Sequence, residues 1–243
     1  MLKGHWRDKR NRMKAQAPMG IIMLDTQFPR IPGDAGGAET WDFPVIYKVV
    51  KGITPQFFKE DQDKKLLKVL QDAAQELERE GVAAITSTCG LLAIYQQEIA
   101  ETVKIPVLIS SLLQIPLAYH LLSKDQKVGV ITIDSRLLGQ EHLKAIGGVS
   151  IPIAIIGLES GQELNCAILE NKKELNIVQA EQDMVGAARR LVEENPTVGA
   201  IVLECANMAP YATAVQEAVC RPVFDITTLV NFIYQSLYRQ RFF

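Results

Sequence analysis

The chain has 243 residues, with 26 lysines and arginines against 28 aspartates and glutamates, and 48% of its residues are hydrophobic. This length allows one or two packed domains, and the nearly neutral composition argues against a disordered chain and against a dedicated nucleic-acid-binding protein. No apolar run approaches the roughly 18 residues that a membrane span requires, so we expect no membrane partner.

The amino-terminal segment, residues 1–19, is basic and shows no apolar or periodic pattern. A secretory signal would follow such charges with an apolar stretch of about 7–15 residues, whereas the first apolar run here, 20–24, is short and ends at Asp25. We therefore predict a disordered basic tail over 1–19 and a first strand behind it. A nucleic-acid-binding arm is the less favoured interpretation, because nothing aromatic supports it.

The chain repeats itself once, in a fixed order of landmarks. An apolar run that begins with glycine and ends in aspartate occurs at 20–25 and again at 129–134. A second strand-like run ends at Cys89 in the first half and at Cys205 in the second. A proline then opens a further apolar run at the same distance after each cysteine. Matched landmarks in the same order indicate two similar structural units.

Helical periodicity separates these strand-like runs. Apolar residues recur on one helix face over 61–80 and over 175–194. Two further amphipathic helices, about 91–103 and 210–219, are predicted directly after the cysteines, and a last helix over 227–238 would pack back on the first unit. Strands of nearly continuous Ile, Val and Leu that alternate with helices predict an α/β fold with parallel sheets covered on both faces.

Two of the four cysteines stand at equivalent positions of the repeat. In parallel α/β sheets, ligands collect at the carboxyl ends of strands, where Cys89 and Cys205 both lie. A following helix start supplies free N–H groups, which favour a thiolate and a substrate carboxylate. Packing in the core is the alternative for a lone cysteine, and we adopt it for Cys166 and Cys220, which have no counterpart in the repeat. The scattered cysteines form neither a disulfide framework nor a zinc motif, so we expect a reducing, cytoplasmic setting.

Two opposed thiols have a definite chemistry. One, as a thiolate, removes a proton from a carbon beside a carboxyl or carbonyl group, and the other returns a proton from the opposite face. Backbone donors would hold the enolate-like intermediate, and neither a metal nor an organic cofactor is required. We therefore predict a cofactor-independent racemase or isomerase of a small carboxylate or carbonyl compound. The alternatives are a decarboxylase that uses Cys205, and a non-catalytic carboxylate-binding protein on the same scaffold.

The motifs around the two cysteines, Thr86-Ser-Thr-Cys-Gly-Leu and Glu204-Cys-Ala-Asn-Met, resemble those of the aspartate/glutamate racemase superfamily. That superfamily includes hydantoin racemases, maleate isomerases and arylmalonate decarboxylases, and the likeness spans about residues 20–238. The resemblance implies two pseudo-symmetric α/β domains with the active site in the cleft between them. It also implies that the cysteines of both motifs are catalytic.

In that superfamily the chain crosses back, so that its carboxyl end completes the first domain. The resemblance therefore implies a first domain of 20–115 plus 210–243 and a second domain of 116–209. It leaves open whether the protein is a homo-oligomer. The segment from Pro32 to Pro55 is most similar to the decarboxylase branch, but decarboxylases of that branch keep only the second cysteine. The presence of both thiols favours racemisation or isomerisation.

Further residues are expected to line the substrate pocket because they adjoin the cysteines or end strands at the same rim. These are Gly90, Leu91, Ala206, Asn207, Asp25, Thr26, Asp134, Ser110 and Thr227. The residues after the cysteines differ from those of amino-acid racemases, so we expect a substrate other than glutamate or aspartate. For Asp134, Ser110 and Thr227, capping of a helix is the alternative role. A Pro/Gly-rich loop over 28–44, which carries Arg30 and Asp34, is of the kind that often covers a site.

Overall fold

The computed structural model describes residues 16–55, 63–159 and 163–239. Within these ranges the chain forms two parallel sheets of four strands each, with strand orders β2-β1-β3-β4 and β6-β5-β7-β8. The first sheet comprises β1 (Met19–Leu24), β2 (Val45–Val50), β3 (Ala84–Ser87) and β4 (Val107–Leu108). The second comprises β5 (Lys127–Thr132), β6 (Ile153–Gly157), β7 (Val198–Leu203) and β8 (Val223–Phe224). The predicted α/β fold with two related parallel sheets is confirmed.

Helices connect the strands in both units. They are α1 (Asp63–Arg79), α2 (Gln96–Ala100), α3 (Ile115–His120), α4 (Gln140–Ala145), α5 (Glu163–Leu169), α6 (Ile177–Glu194), α7 (Ala212–Val219) and α8 (Ile226–Leu237). Short 3-10 turns occur at Ala38–Thr40, Gly90–Tyr95, Ser111–Gln114 and Ala209–Tyr211. The two helices predicted directly after the cysteines therefore begin as 3-10 turns before α2 and α7. None of the helices in the described ranges is long and apolar enough to cross a membrane.

The repeat in the sequence is a repeat in the structure. β1 and β5 hold the same place in their sheets, and β3 and β7 pair with them on the same side. Cys89 follows β3 and Cys205 follows β7, so the two thiols occupy equivalent positions at the carboxyl ends of equivalent strands. This edge of a parallel sheet is where ligands usually bind.

Each unit has a core between its sheet and its long helix. The strands β3 and β7 are buried along their whole length, as their continuous apolar sequences require. On α1, side chains at helical spacing such as Leu66 and Leu70 pack with Ile22 and Ile85 of the first sheet. On α6, Met184, Ala188 and Leu191 pack likewise with strand residues of the second sheet.

The predicted boundary at residue 210, where the chain was expected to return from the second domain to the first, is wrong. The strand β8 pairs with β7, so the chain through residue 224 belongs to the second sheet. The repeat requires this arrangement, since the run after Pro222 corresponds to the run after Pro106 that forms β4. The helix α8 returns to the first unit, where Ile226 and Val230 pack with residues of β1 and β3.

The predicted disordered tail over 1–19 is wrong for residues 16–19. Residues 1–15 lie outside the described residues, but Met19 is buried in β1 and belongs to the first core. The backbone N–H of Ala17 donates to the hydroxyl of Tyr238 at 2.8 Å, and the hydroxyl of Tyr234 donates to Gln16 Oε1 at 3.2 Å. Residues 16–19 are therefore part of the folded structure. Strand pairing fixes Met19, and the two hydrogen bonds attach Gln16 and Ala17 to the carboxyl-terminal region.

Candidate active site

A pocket lies between the two units, at the carboxyl ends of β3 and β7, and encloses about 450 Å³ with its open mouth included. Both Cys89 and Cys205 line it. Most of the remaining lining is apolar and includes Phe28, Leu91, Ile133, Leu137, Ile168 and Leu169. Among the described residues the lining contains one cation, Arg30, and one acid, Glu204. Such a mixture, apolar walls with a few convergent polar groups, is typical of a small-molecule site.

Cys89 stands at the junction between β3 and a 3-10 turn. Its backbone is extended, and the backbone N–H groups of Leu91 and Leu92 at the start of the turn lie close enough to its thiol to favour the charged form. These donors lower the pKa of the thiol, but burial, followed by the nearby acid Glu204, raises the pKa above its usual range. The N–H donors would stabilise a thiolate at Cys89, but burial and the nearby acid keep the thiol protonated in the resting pocket.

Cys205 is held as a thiol by its neighbour. Its Sγ donates to Asn207 Oδ1 at 3.3 Å, while Asn207 Nδ2 donates to Asp34 Oδ2 at 2.6 Å. The second bond fixes the amide orientation, because Asp34 accepts only from the nitrogen end, so the carbonyl end faces the sulfur. Burial and then the acid Glu204 raise the pKa of Cys205 well above its usual range.

Arg30 reaches the pocket from the loop 28–44. Its guanidinium donates to Asp34 Oδ1 at 2.9 Å and to Thr26 Oγ1 at 2.8 Å, and it lies over the ring of Phe28 at 4.3 Å. Gly36 leaves room for it, since a Cβ there would come within 2.9 Å of the guanidinium. Arg30 has five N–H donors, so it can also donate to a substrate carboxylate in addition to these partners.

Glu204 is the buried acid of the site, only 2% exposed. Thr132 Oγ1 donates to its Oε2 at 2.9 Å, and the backbone N–H of Ile133 also donates to the carboxyl group. A Cβ on Gly90 would lie 2.3 Å from Glu204 Oε1, so the acid packs against the backbone that follows Cys89. Burial raises the pKa of Glu204 to about 7.

The structure brings five of the predicted site residues to the pocket. Thr26, Cys89, Leu91, Cys205 and Asn207 all line it. The prediction gathered them because they end strands or follow the cysteines, and parallel strands place such residues at one edge of the fold.

The other predicted residues lie outside the lining, each with a local structural role. Gly90 is buried against Glu204, and Ala206 packs in the core of the first unit. Ser110 caps a 3-10 turn by accepting from Leu112 N, and the hydroxyl of Thr227 donates to Asp225.

The two predicted aspartates serve the rim rather than the pocket. Asp25 accepts from the backbone N–H of Gly52 and pairs with Lys51. Asp134 accepts from the backbone and the guanidinium of Arg136. The reason is shared: a carboxylate beside free N–H groups or a cation at a strand end satisfies those donors first.

Glu204 and Phe28 line the pocket but were not predicted from the sequence. A signal existed for Glu204, because an acid ends a strand that is otherwise wholly apolar and stands directly before the cysteine. Phe28 lies in the long loop that has no counterpart in the second half of the chain, so the repeat gave no indication of its position.

Comparison with known families finds one family model, described as Asp/Glu/Hydantoin racemase, that matches residues 50–230. Curated relatives include a dimethylsulfoniopropionate lyase from Durusdinium sp. clade D, 29% identical over 228 residues that cover 90% of this chain and 75% of that protein. Dimethylsulfoniopropionate lyase 5 of Emiliania huxleyi (strain CCMP1516) is 26% identical over 236 residues. The match covers 92% of this chain but only 46% of that protein, so this chain spans about half of its length.

Solved structures with the same fold include racemases and a decarboxylase. An aspartate racemase homologue from Pyrococcus horikoshii OT3 superposes with a TM-score of 0.59 and 16% identity over 91% of this chain and 99% of that one. A mutant of arylmalonate decarboxylase in a sulfate-associated form gives 0.60 and 14% over 90% and 93% of the two chains. At these identities the similarity establishes the fold alone.

Proposed function

Because the chain belongs to the Asp/Glu/hydantoin racemase family, we propose that it removes a proton from the carbon beside a carboxylate, using a thiol of the interunit pocket. This proposal rests on one observation: Cys89, Cys205 and Arg30 all line the same pocket. A thiolate supplies the base, and the guanidinium supplies the partner for a carboxylate.

The reaction that we propose is elimination, with dimethylsulfoniopropionate as the substrate. Its support is the name of the curated relatives, one of which is similar to 90% of this chain. The thiolate takes the proton from the carbon beside the carboxylate, and the C–H electron pair forms a carbon–carbon double bond. The bond from the next carbon to the sulfonium sulfur breaks with its electrons on sulfur. The products are acrylate, dimethyl sulfide and a neutral thiol, so charge and atoms balance.

The resting contacts favour Cys89 as the base. Backbone N–H groups of two residues lower the pKa of its thiol, whereas Cys205 has one such group, that of Asn207, and donates its own proton to the Asn207 side chain. Arg30 would bind the substrate carboxylate with the donors that Asp34 and Thr26 leave unused. Once a substrate fills the pocket, the apolar walls exclude water around it, which strengthens each of these electrostatic contacts.

Racemisation or isomerisation of a chiral carboxylate is the second candidate. The observation that favours it is the equivalence of the two thiols, which stand at the same position of the repeat on opposite units. Elimination requires one base, but inversion of a stereocentre requires a base on one face and an acid on the other. The two candidates therefore make different demands on Cys205.

Proton NMR in D2O separates these candidates. The protein is mixed with dimethylsulfoniopropionate, and the vinyl signals of acrylate are followed, while a parallel set of single-enantiomer acids and hydantoins is followed for deuterium uptake at the α-carbon. Acrylate formation supports the lyase. Deuterium uptake with loss of optical purity and no acrylate supports the isomerase. If neither acrylate nor deuterium uptake is observed, both candidates are contradicted.

Three cysteine variants assign the thiols. We expect Cys89→Ser to reduce elimination at least ~100-fold, because a hydroxyl is a far weaker acid than a thiol. Cys205→Ser should reduce elimination less, although it should abolish any racemisation. Cys220→Ser is the matched control, since Cys220 is exposed and outside the pocket, and it should leave the rate unchanged. Full activity of both pocket variants would exclude thiol catalysis; an inactive Cys205→Ser beside an active Cys89→Ser would reverse the roles.

A further inference from the structure

Glu204 occupies the space between the two cysteine-bearing turns. It directly precedes Cys205 in the chain, and its carboxyl group packs against Gly90, which directly follows Cys89. The contact depends on glycine, because a Cβ at position 90 would lie 2.0 Å from the carbonyl oxygen of Glu204 and 2.3 Å from its Oε1. The acid thus adjoins both turns while also lining the pocket.

The hydrogen-bond partners of Glu204 are neutral groups. Its Oε2 accepts from the hydroxyl of Thr132, and a backbone N–H of Ile133 also donates to the carboxyl group. No ion pair to Glu204 occurs among the described residues, and Arg30, the cation of the pocket, is paired with Asp34 instead. A buried carboxylate without a cation is costly, so burial shifts the equilibrium of this group towards the neutral acid.

The charged and titratable groups around this acid are few. Cys89 and Cys205 face it from the two turns, and the charge of Glu204 raises the pKa of both thiols. Arg30 and Asp34 act on the thiols from the loop 28–44, in opposite senses. A negative charge on any one of Cys89, Cys205 and Glu204 disfavours a negative charge on the other two. These three groups therefore titrate together rather than independently.

We propose that Glu204 is a positioning residue that limits the cysteine pair and its own carboxyl group to one negative charge in total. This inference rests on the proposed thiol chemistry of the pocket. A thiolate then forms in two ways: by direct loss of a proton while Glu204 is neutral, or by transfer of the thiol proton to the Glu204 carboxylate through pocket water. In the second case the S–H bond breaks with its electrons on sulfur, and an O–H bond forms on the carboxyl group. The other thiol stays protonated in both cases.

A distinctive pH profile follows from this limit. Below the pKa of Glu204, the thiolate population rises about tenfold per pH unit, as it would for an isolated thiol. Above that pKa, further ionisation only exchanges the charge between carboxyl group and sulfur, so the thiolate population becomes constant. The wild-type protein should therefore show a break near neutral pH that belongs to Glu204, although the measured reactivity belongs to cysteine.

Alkylation by iodoacetamide measures this population without any substrate. The rate at Cys89 is followed between pH 6 and 10 by mass spectrometry of its peptide, in wild type, in Glu204→Gln and in Glu193→Gln, an exposed acid on α6. We expect wild type and Glu193→Gln to become constant above about pH 7. Glu204→Gln should match them below that pH, continue to rise above it and react at least ~10-fold faster at pH 9. The exposed Cys220, outside the pocket, is the internal control for the amount of active reagent in every sample.

A second variant keeps the test decisive if Glu204→Gln fails to fold. Thr132→Val removes the hydroxyl that donates to the Glu204 carboxylate, so the break should move to higher pH. Superimposable profiles for wild type and the folded Glu204→Gln, or an unmoved break in Thr132→Val, would overturn the one-charge limit. Because alkylation needs no turnover, a protein that shows the break but forms no acrylate would contradict only the proposed elimination.

Discussion

Asn207 shows how one side chain can fix the protonation state of another. Its nitrogen donates to Asp34, so its carbonyl oxygen is the end that faces the sulfur of Cys205. An acceptor in that place stabilises a thiol and destabilises a thiolate. Backbone N–H groups lower the pKa of both thiols, two at Cys89 and one at Cys205, but in the described chain it is Cys205 that also faces this side-chain acceptor. The two thiols are equivalent in the repeat but differ in what surrounds them, and this difference assigns their chemical roles.

Arg30 offers the sharpest test of substrate binding. Arg30→Lys keeps the positive charge but loses the fork that bridges Asp34, Thr26 and a carboxylate, so KM should rise roughly tenfold or more with a smaller change in kcat. The matched control is Arg136→Lys, whose guanidinium pairs with Asp134 outside the pocket lining. Steady-state kinetics on the substrate found by NMR measure both. An unchanged KM in Arg30→Lys would show that the carboxylate binds elsewhere.

Glu204 also makes a prediction about stability. Its pKa of about 7 lies above the usual 4.5, so the folded protein binds this proton more tightly than the unfolded chain does. The contribution of this carboxyl group to the free energy of unfolding is therefore fully present below about pH 4.5 and is lost as the pH rises towards 7. Above that pH, the buried carboxylate lowers the free energy of unfolding by about 3 kcal/mol relative to its value below pH 4.5.

Urea unfolding at several pH values tests this sign. The free energy of unfolding of Glu204→Gln minus that of wild type should increase between pH 4.5 and 7 and then become constant, because glutamine has no charge to bury. A difference that does not depend on pH would mean that the Glu204 carboxyl group ionises as freely in the folded protein as in the unfolded chain.

At the scale of the elements, two glycines of contrasting surroundings predict opposite effects of the same change. Gly90→Ala forces a Cβ against the backbone of Glu204 and should destabilise the fold by about 1–3 kcal/mol and disturb the pocket. Gly186 lies in α6 with open space around its missing Cβ, so Gly186→Ala should stabilise the fold by about 1 kcal/mol. Thermal unfolding of both variants measures the contrast, and equal shifts in the same direction would contradict it.

The sequence contained most of the fold because its elements carry strong periodic patterns. The long helices α1 and α6 and the central strands follow directly from the spacing of apolar residues, and the repeat relates the two sheets. β2 was missed because its sequence, Val45–Val50, includes Tyr47 and Lys48 and is only half-buried. The loop 28–44 was expected to cover a site, but the contacts of Arg30 depend on tertiary packing that no local pattern encodes.

At the scale of the whole molecule, the two units are bound together next to the pocket. Ser111, from the first unit, donates from its hydroxyl to the carbonyl oxygens of Leu203 and Glu204 at the end of β7. Nearby, Gln114 donates to the carbonyl oxygen of Asp225 at the start of α8. The two Ser111 bonds fix the strand end that carries Cys205 against the unit that carries Cys89.

Ser111→Ala tests this connection. Loss of a buried hydroxyl that serves two carbonyl groups should reduce the free energy of unfolding by about 1–3 kcal/mol. We expect activity to fall as well, because the distance between the thiols is no longer fixed by these bonds. Ser236→Ala, at an exposed hydroxyl on α8, is the control and should change stability by less than about 0.5 kcal/mol. A stable, fully active Ser111→Ala would mean that the surrounding core alone fixes the two units.

The bond between Ala17 and the Tyr238 hydroxyl gives the described chain an almost circular path. If the ends were joined there and the chain reopened in the exposed turn at Lys124 and Asp125, every strand would keep its neighbours in both sheets. In such a circular permutant the second unit would come first, and α8 would become the connection that leads directly into the first unit. In the natural order the chain passes from the first unit to the second and returns through α8, whereas in the permutant it would pass between the units once.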